Sequence, residues 1–311
     1  MPASHFADRL FAAIRRAGNP VLVGLDPRAE SLPPGLISGN GLEATARGYL
    51  AFCRGVIDVV APLVAAVKPQ AAFFEQLGPA GCVALGDVMK YAASKGMLVI
   101  LDGKRNDIGS TAQGYAEGYL GPGEASPWGA DALTVSPYLG DDSLTPFVEV
   151  AKARGAGIFV LVKTSNPGGK RFQDIVADGR PIYRHVADYV ESLATQTAGT
   201  GGYGLVGAVV GATYPQQLAE LRQAMPHTWL LIPGFGAQGG TAKDCAAALD
   251  ERGLGAIVNN SRGIIFAHAR KEYAGRFGPG RWQEAVEAAT REMIDQLRTD
   301  TPAGRLGVSI S

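Results

Sequence analysis

Short runs of apolar, mostly β-branched residues recur along the whole chain of 311 residues, separated by segments of helical character. The runs are nearly continuous in apolar residues instead of alternating, which is typical of strands buried on both faces. The eight runs cover residues 21–25, 65–68, 98–102, 132–136, 158–163, 207–212, 229–232 and 256–259. Strand and helix alternating eight times predict an α/β protein whose parallel sheet closes into a (β/α)8 TIM barrel.

An open doubly wound sheet is the structural alternative. It usually has fewer units, and no GxGxxG turn follows the first strand here. We therefore expect one domain over 1–311, with the barrel at about 20–270. Helices are predicted at 42–63, 81–94, 111–120, 144–154, 183–197, 215–224 and 242–252. Extra helices at 6–16, closing the barrel bottom, and at 281–298 should flank the barrel, and the tail from 303 should be loose.

The composition limits what the chain binds. Lys plus Arg equals Asp plus Glu at 29 each, so we expect no nucleic-acid partner and no attraction to anionic membranes. The longest apolar stretch, 59–67, contains Pro62 and is too short to span a bilayer. Cys53, Cys82 and Cys245 offer neither a disulfide framework nor a zinc spacing. Without a signal peptide at the N-terminus, a cytoplasmic location is expected.

Polar residues stand where nearly every predicted strand ends. In a (β/α)8 barrel this edge carries the active site. Any single residue could serve a cap or a turn, but the recurrence favours a site. The strand-end residues are Asp26, Lys68, Gln70, Asp102, Lys104, Ser136, Lys163, Asn166, Pro233, Gly234, Gln238, Asn259, Ser261 and Arg262.

Two acids bracket a lysine after the third strand. Side chains alternate along a strand, so Asp102 and Lys104 should point to the same side, with Asp107 in the following loop. Together with Lys68 they form two cations and two anions. A structural ion-pair network is one explanation, but four charges at the open end of a barrel more often mark a catalytic site. Two neighbouring carboxylates favour the ammonium form of Lys104, which suits an acid or a fixed cation and not a Schiff base.

A phosphate site is predicted after the last two strands. The glycine-rich loop 234–240 could close over an anion, and Arg262 could donate two parallel hydrogen bonds to phosphate oxygens. Either motif alone could be a surface feature, but both together favour phosphate binding. No HExxH or GxSxG motif is present, and we expect no metal and no organic cofactor.

With these motifs, the chain resembles the orotidine 5′-phosphate decarboxylases, in particular their longer bacterial subgroup. The signature is Asp102-x-Lys104-x-x-Asp107-Ile108-Gly109-x-Thr111-Ala112. Other matching segments follow in the expected order, namely 23–26, 68–69, 162–167, 233–234 and 261–263.

The resemblance implies that orotidine 5′-phosphate loses carbon dioxide to give uridine 5′-phosphate in de novo pyrimidine biosynthesis, without a cofactor. Lys104 would stabilise the carbanion at C6 of the pyrimidine and deliver the proton, with Asp102 near the leaving carboxylate. Asp107 and Thr111 would come from the neighbouring subunit, so the active site would be shared in a homodimer.

The resemblance also implies contacts to the rest of this nucleotide substrate. Asp26 and Lys68 would hold the ribose, Ser136 would contact the base, and Arg262 would bind the phosphate. Gln238 would bridge base and phosphate. The other expected substrate-binding residues are Pro233, Gly234 and Ser261.

Two rival functions remain open. A metal-dependent sugar-phosphate aldolase or decarboxylase on a related barrel would need an extra acid near the end of strand two, where Lys68 stands. A non-catalytic phosphate-binding barrel would keep Arg262 and the glycine loop but would have no need for Lys104.

Overall fold

The computed structural model describes residues 5–236 and 239–307. Its eight main strands run parallel and close into a barrel in the order β1-β8-β7-β6-β5-β4-β3-β2. Sequential strands are therefore neighbours, and β1 completes the barrel by pairing with β8. The strands are β1 (Val21–Leu25), β2 (Ala66–Pro69), β3 (Leu98–Arg105), β4 (Ala132–Val135), β5 (Gly157–Lys163), β6 (Val206–Val210), β7 (Leu230–Ile232) and β8 (Ala256–Asn260). The predicted (β/α)8 barrel is confirmed.

Apolar side chains hold the barrel together on both faces of the sheet. All residues of β1 and β8 are buried, as the continuous apolar runs predict. The α-helices are α1 (Phe6–Ala17), α2 (Leu42–Val60), α3 (Ala71–Glu75), α4 (Gly78–Ser94), α5 (Gly109–Tyr119), α6 (Thr145–Arg154), α7 (Lys170–Gln173), α8 (Ile182–Gln196), α9 (Pro215–Ala224), α10 (Ala242–Cys245), α11 (Arg262–Ile265), α12 (Lys271–Phe277) and α13 (Trp282–Asp300).

The long helix predicted at 242–252 is wrong. The α-helix α10 ends at Cys245, a short 3-10 turn follows, and the chain then leaves the helical path. The carboxylate of Asp250 accepts hydrogen bonds from the backbone N–H groups of Arg252 and Leu254, both at 2.8 Å. Gly253 then adopts a φ of 80°. This local turn competes with helix formation and overrides the apolar pattern.

The N-terminal helix closes the bottom of the barrel, as predicted. Phe6 packs edge-on against Phe159 of β5, with ring centroids 6.1 Å apart. The missing side chain at Gly157 leaves the space that the Phe6 ring fills. Arg9 of the same helix forms an ion pair with Asp131, immediately before β4.

The expectation of a loose tail is wrong for the described part of it. Residues Pro302–Gly307 form a 3-10 helix, and Ala303 is fully buried. Arg305 donates a hydrogen bond of 2.5 Å to the carbonyl oxygen of Glu251, which attaches this segment to the turn before β8.

The connection from β5 to α8 carries structure that the sequence pattern did not indicate. It contains α7 and a two-residue antiparallel hairpin at 176–177 and 180–181. The segment lies at the same end of the barrel as the carboxyl ends of the strands, and its first residues form part of the candidate site.

Candidate active site

A cavity of about 550 Å³ opens at the carboxyl ends of the barrel strands. The location is the one at which barrel enzymes carry their active sites. Eight of the site residues predicted from the sequence line this cavity, namely Asp26, Lys68, Asp102, Lys104, Pro233, Gly234, Ser261 and Arg262.

The carboxylate of Asp102 is the centre of the charged part of the cavity. One oxygen accepts hydrogen bonds from the ammonium of Lys68 at 2.7 Å and from the amide of Gln70 at 3.0 Å. The other accepts from the ammonium of Lys104 at 2.5 Å and from the hydroxyl of Thr134 at 2.9 Å. Four donors therefore fix this carboxylate, and it holds the two ammonium groups in place.

The end of β3 has an unusual backbone that brings Asp102 and Lys104 together. The pairing of β3 with β4 shifts register between Leu101 and Arg105, and Lys104 adopts a positive φ of 45°. A non-glycine residue in this region costs of order 1–3 kcal/mol and persists only where its surroundings hold it. Here the backbone N–H of Lys104 donates to the hydroxyl of Thr134 at 2.9 Å. The same hydroxyl therefore supports both the strained backbone and the carboxylate.

The two buried charges of this group stabilise each other. Burial by itself would raise the pKa of the Asp102 carboxyl, but the charges of Lys68 and Lys104 outweigh burial and hold that pKa far below its usual value. Burial by itself would lower the pKa of the Lys68 ammonium, but the carboxylates of Asp102 and Asp26 raise it above its usual value. Asp102 is therefore an anion and Lys68 a cation at neutral pH.

Lys104 differs from Lys68 in its access to the cavity. The side chain of Lys104 is 46% exposed, whereas that of Lys68 is only 5% exposed. Lys104 is thus a cation that a ligand can reach, and Lys68 is the deeper charge that orients Asp102.

The opposite end of the cavity is built by the loops after β7 and β8. Gly234 adopts a φ of 101°, a conformation that favours glycine, and its carbonyl accepts from the N–H of Gly240 at 3.1 Å. The short helix α11 begins at Arg262, directly after Ser261. Gly24 of β1 lies so close that a Cβ there would stand 2.7 Å from the Cβ of Ser261.

Several buried polar atoms in this region have no hydrogen-bond partner among the described residues. A buried polar group without a partner is costly, so such atoms commonly belong to ligand sites. The atoms are Asp26 Oδ1, Asn259 Oδ1, Asn260 Oδ1 and Ser261 Oγ. All four residues line the cavity, which is therefore prepared for a polar ligand.

Asp107 and Thr111 do not line the cavity of their own chain. Asp107 accepts a hydrogen bond from the backbone N–H of Ile108 at 2.8 Å, and Thr111 is exposed in the first turns of α5. Gln238, predicted to bridge base and phosphate, lies outside the described residues.

Ser136, predicted to contact the base, directly follows β4. Strand β4 ends at Val135, and the backbone N–H of Ser136 donates to the carbonyl oxygen of Arg105 at 2.9 Å. The residue of β4 that reaches the cavity is Thr134.

Sequence reasoning gave no role to several residues that line the cavity. Gln70 and Thr134 bind the Asp102 carboxylate, and Thr164, Ser165 and Asn166 form the wall after β5. Polar residues at strand ends were a sufficient signal for Gln70 and for the segment after β5. Thr134 lies inside an apolar run and gave no such signal.

Within residues 5–236 and 239–307, no three His, Cys, Asp or Glu side chains are grouped so that they could hold a metal ion. In the same part of the chain, no helix is both long and apolar enough to cross a membrane.

A (β/α)8 barrel with this charged group beside two glycine-containing loops belongs to the class of barrel enzymes that act on small phosphorylated molecules. A profile of the orotidine 5′-phosphate decarboxylase / HUMPS family matches residues 19–277. The chain belongs to this family.

Individual relatives agree with the family match. The chain is 59% identical over 298 residues to orotidine 5′-phosphate decarboxylase of Rhodopirellula baltica, covering 94% of this chain and 99% of that protein. It is 38% identical over 277 residues to the enzyme of the same name from Caldicellulosiruptor bescii, covering 85% and 90%. The solved structure of Leishmania donovani OMP decarboxylase superposes with a TM-score of 0.73 at 32% identity, covering 95% and 98%.

Proposed function

We propose that the protein decarboxylates orotidine 5′-phosphate to uridine 5′-phosphate in pyrimidine biosynthesis. The observation that carries this conclusion is the Lys68–Asp102–Lys104 group, in which a reachable ammonium is held against a buried carboxylate. Membership of the family and the names of the relatives support the same reaction.

The proposed reaction replaces the carboxylate at C6 of the pyrimidine with a proton. The bond between C6 and the carboxylate breaks, carbon dioxide leaves, and the electron pair remains at C6. The ammonium of Lys104 stabilises this carbanion and then donates its proton to C6, which gives uridine 5′-phosphate. Lys104 regains a proton from water, to which its partly exposed side chain has access.

A single cation does not supply the whole rate enhancement. A charge about 4 Å from the developing anion is worth roughly 4 kcal/mol at an effective dielectric near 20. Enzymes commonly supply ~8–23 kcal/mol. Binding energy from the phosphate end must therefore contribute by positioning the substrate and excluding water. Asp102 holds Lys104 in place and would lie near the leaving carboxylate of the substrate.

The remaining site residues fit the parts of the nucleotide. Asp26 and Lys68 would hold the ribose, while Ser261, Arg262 and the loop containing Pro233 and Gly234 would bind the phosphate. We assign the polar contacts of the base to Ser136, which directly follows β4, and to the wall after β5. There Thr164, Ser165 and Asn166 line the cavity, and β5 lies opposite β1 in the barrel.

We further propose that the active site is shared in a homodimer, with Asp107 and Thr111 contributed by a second copy. Two observations support this arrangement. Both residues lie outside the cavity of their own chain, and the loops after β3 and β4 carry exposed apolar side chains. Among these, Ile108 is 56% exposed and Tyr138 83% exposed. Exposed apolar residues that cluster on one face are typical of protein interfaces.

The chain is proposed to act as one barrel domain in the cytoplasm. Trp282 of α13 packs on Phe52 of α2 with ring centroids 5.2 Å apart, which supports a single unit. All three cysteines are free thiols, as is typical of a reducing compartment.

The absorbance change of orotidine 5′-phosphate distinguishes this reaction from the metal-dependent alternative. We expect purified protein to decarboxylate the nucleotide at the same rate with and without excess chelator. No observation on the described residues favours the metal-dependent aldolase. Loss of the activity on chelation, with recovery on adding magnesium, would support the metal-dependent enzyme instead. The ammonium of Lys68, bound to Asp102 where that enzyme needs a carboxylate, argues for the first outcome.

A further inference from the structure

Arg28 is a cation of the cavity wall to which the proposed reaction gives no role. It follows β1 and lines the same cavity as Lys104 and Arg262. Its guanidinium carbon lies 5.0 Å from the centroid of the Phe73 ring, which also lines the cavity. Among the described residues, its buried Nε atom has no hydrogen-bond partner.

The other cations of the cavity show why Arg28 is available to a ligand. Lys68 and Lys104 both donate to the carboxylate of Asp102. No described carboxylate forms an ion pair with either Arg28 or Arg262, so these two guanidinium groups keep their charge for something else. A partly buried guanidinium without an anion is costly, and a bound anion would remove that cost.

The backbone around Arg28 is held in place before any ligand binds. The N–H of Ala29 donates to the hydroxyl of Tyr49 at 3.0 Å, and Tyr49 is 2% exposed. The carbonyl oxygen of Arg28 accepts from the N–H of Ser31 at 2.9 Å. The Phe73 ring also packs against the Arg28 guanidinium. The guanidinium is therefore a preorganised hydrogen-bond donor, and little conformational entropy is lost when it binds a ligand.

The position of β1 in the barrel indicates which anion Arg28 meets. Strand β1 pairs directly with β8, with Val23 opposite Asn260, and Gly24 allows the close approach of Ser261. On its other side β1 pairs with β2, so the loop after β1 lies between the Ser261–Arg262 end of the cavity and Phe73 of α3, on which Arg28 packs. The reacting end lies beyond β2, where Asp102 and Lys104 stand at the end of β3.

We propose that Arg28 is a specificity-determining residue that binds the phosphate group of the nucleotide together with Arg262. The inference rests on the phosphate-binding role proposed above for Arg262. Two guanidinium groups suit a dianion, because each can donate two parallel hydrogen bonds. Arg28 thus favours the nucleotide over the nucleoside and does not take part in breaking the bond.

The affinities of uridine 5′-phosphate and uridine, measured by calorimetry on the full chain, test this role. The relevant quantity is the Kd of uridine divided by the Kd of uridine 5′-phosphate, since only the nucleotide carries the phosphate. We expect Arg28→Met to lower this ratio by roughly tenfold or more. The matched control is Arg47→Met, an exposed arginine of α2 outside the cavity wall, and it should leave the ratio unchanged.

The conservative variant Arg28→Lys retains the charge and serves if Arg28→Met folds poorly. A Kd ratio severalfold below that of the unmodified protein supports the inference, and an unchanged Kd ratio contradicts it. If Arg28→Met weakens subunit association and leaves the Kd ratio unchanged, Arg28 contacts a second copy and the inference is overturned.

The variant Arg262→Met separates the role of Arg28 from the phosphate site itself. If Arg262→Met lowers the ratio while Arg28→Met does not, only the role of Arg28 fails. If neither variant lowers it, the proposed phosphate site fails as well.

Discussion

The ammonium of Lys68 lies 2.7 Å from the carboxylate of Asp102, and the two side chains are only 5% and 9% exposed. Taking two charges out of water costs several kcal/mol per ion, which their attraction repays only with good geometry and further hydrogen bonds. Gln70, Thr134 and Lys104 supply those further hydrogen bonds to Asp102. We therefore expect the Lys68–Asp102–Lys104 group to serve mainly to fix charges in the site, and to contribute little net stability to the fold.

Removal of the Asp102 charge should destabilise the protein as well as inactivate it. Asp102→Asn leaves the buried ammonium of Lys68 without its hydrogen-bonded anion, so we expect the free energy of unfolding to fall by about 3–5 kcal/mol. Urea unfolding measures this change. The double variant Lys68→Met/Asp102→Leu removes both buried charges and should recover most of the stability while remaining inactive. A double variant as unstable as Asp102→Asn would show that the unpaired charge is not the cause.

The low pKa of Asp102 predicts the sign of a pH effect on stability. The carboxyl binds a proton more readily in the unfolded chain, where its pKa is about 3.9, than in the folded protein. Its contribution is therefore complete above that value and is lost as the pH falls towards the folded pKa. Between roughly pH 6 and pH 3, the unmodified protein should lose more free energy of unfolding than Asp102→Asn does. Equal losses in the two proteins would contradict the assignment.

Subunit mixing tests the shared site. Lys104→Ala retains Asp107, and Asp107→Ala retains Lys104, so a mixed dimer contains one complete site and one doubly impaired site. Random exchange of equal amounts should restore about a quarter of the sites of the unmodified protein. Mass spectrometry of the mixture establishes that exchange has occurred. Absent recovery in a mixture with proven exchange would mean that each chain completes its own site.

Much of the fold was readable from the sequence because strand burial leaves a continuous apolar pattern. All eight barrel strands lie where the runs predict them, with ends that differ by at most three residues. The prediction of a helix at 242–252 was wrong because the side chain of Asp250 stabilises a turn that the hydropathy pattern does not reveal. Short elements such as α7 and the hairpin after it have too few residues to show a period.

The sequence predicted those site residues that are both polar or charged and placed at the end of a strand, and it did not predict the others. The alternation of side chains along a strand predicts that Asp102 and Lys104 lie on the same side, and the two side chains are in contact. The positive φ of Lys104, which accompanies this contact, is not predicted by the alternation. The inward position of Thr134 was hidden within an apolar run. In the proposed homodimer, the place of Asp107 depends on contacts between copies, which a single chain does not contain.

The proposed mechanism requires the Lys104 ammonium to stabilise the carbanion and to supply the proton. The most direct test measures, on one preparation of Lys104→Ala, both the turnover of orotidine 5′-phosphate and the Kd of uridine 5′-phosphate, with the exposed Lys152→Ala as control. We predict a loss of kcat by several orders of magnitude with nucleotide binding retained in Lys104→Ala, and no change in the control. Turnover by Lys104→Ala at the rate of the unmodified protein would contradict the mechanism.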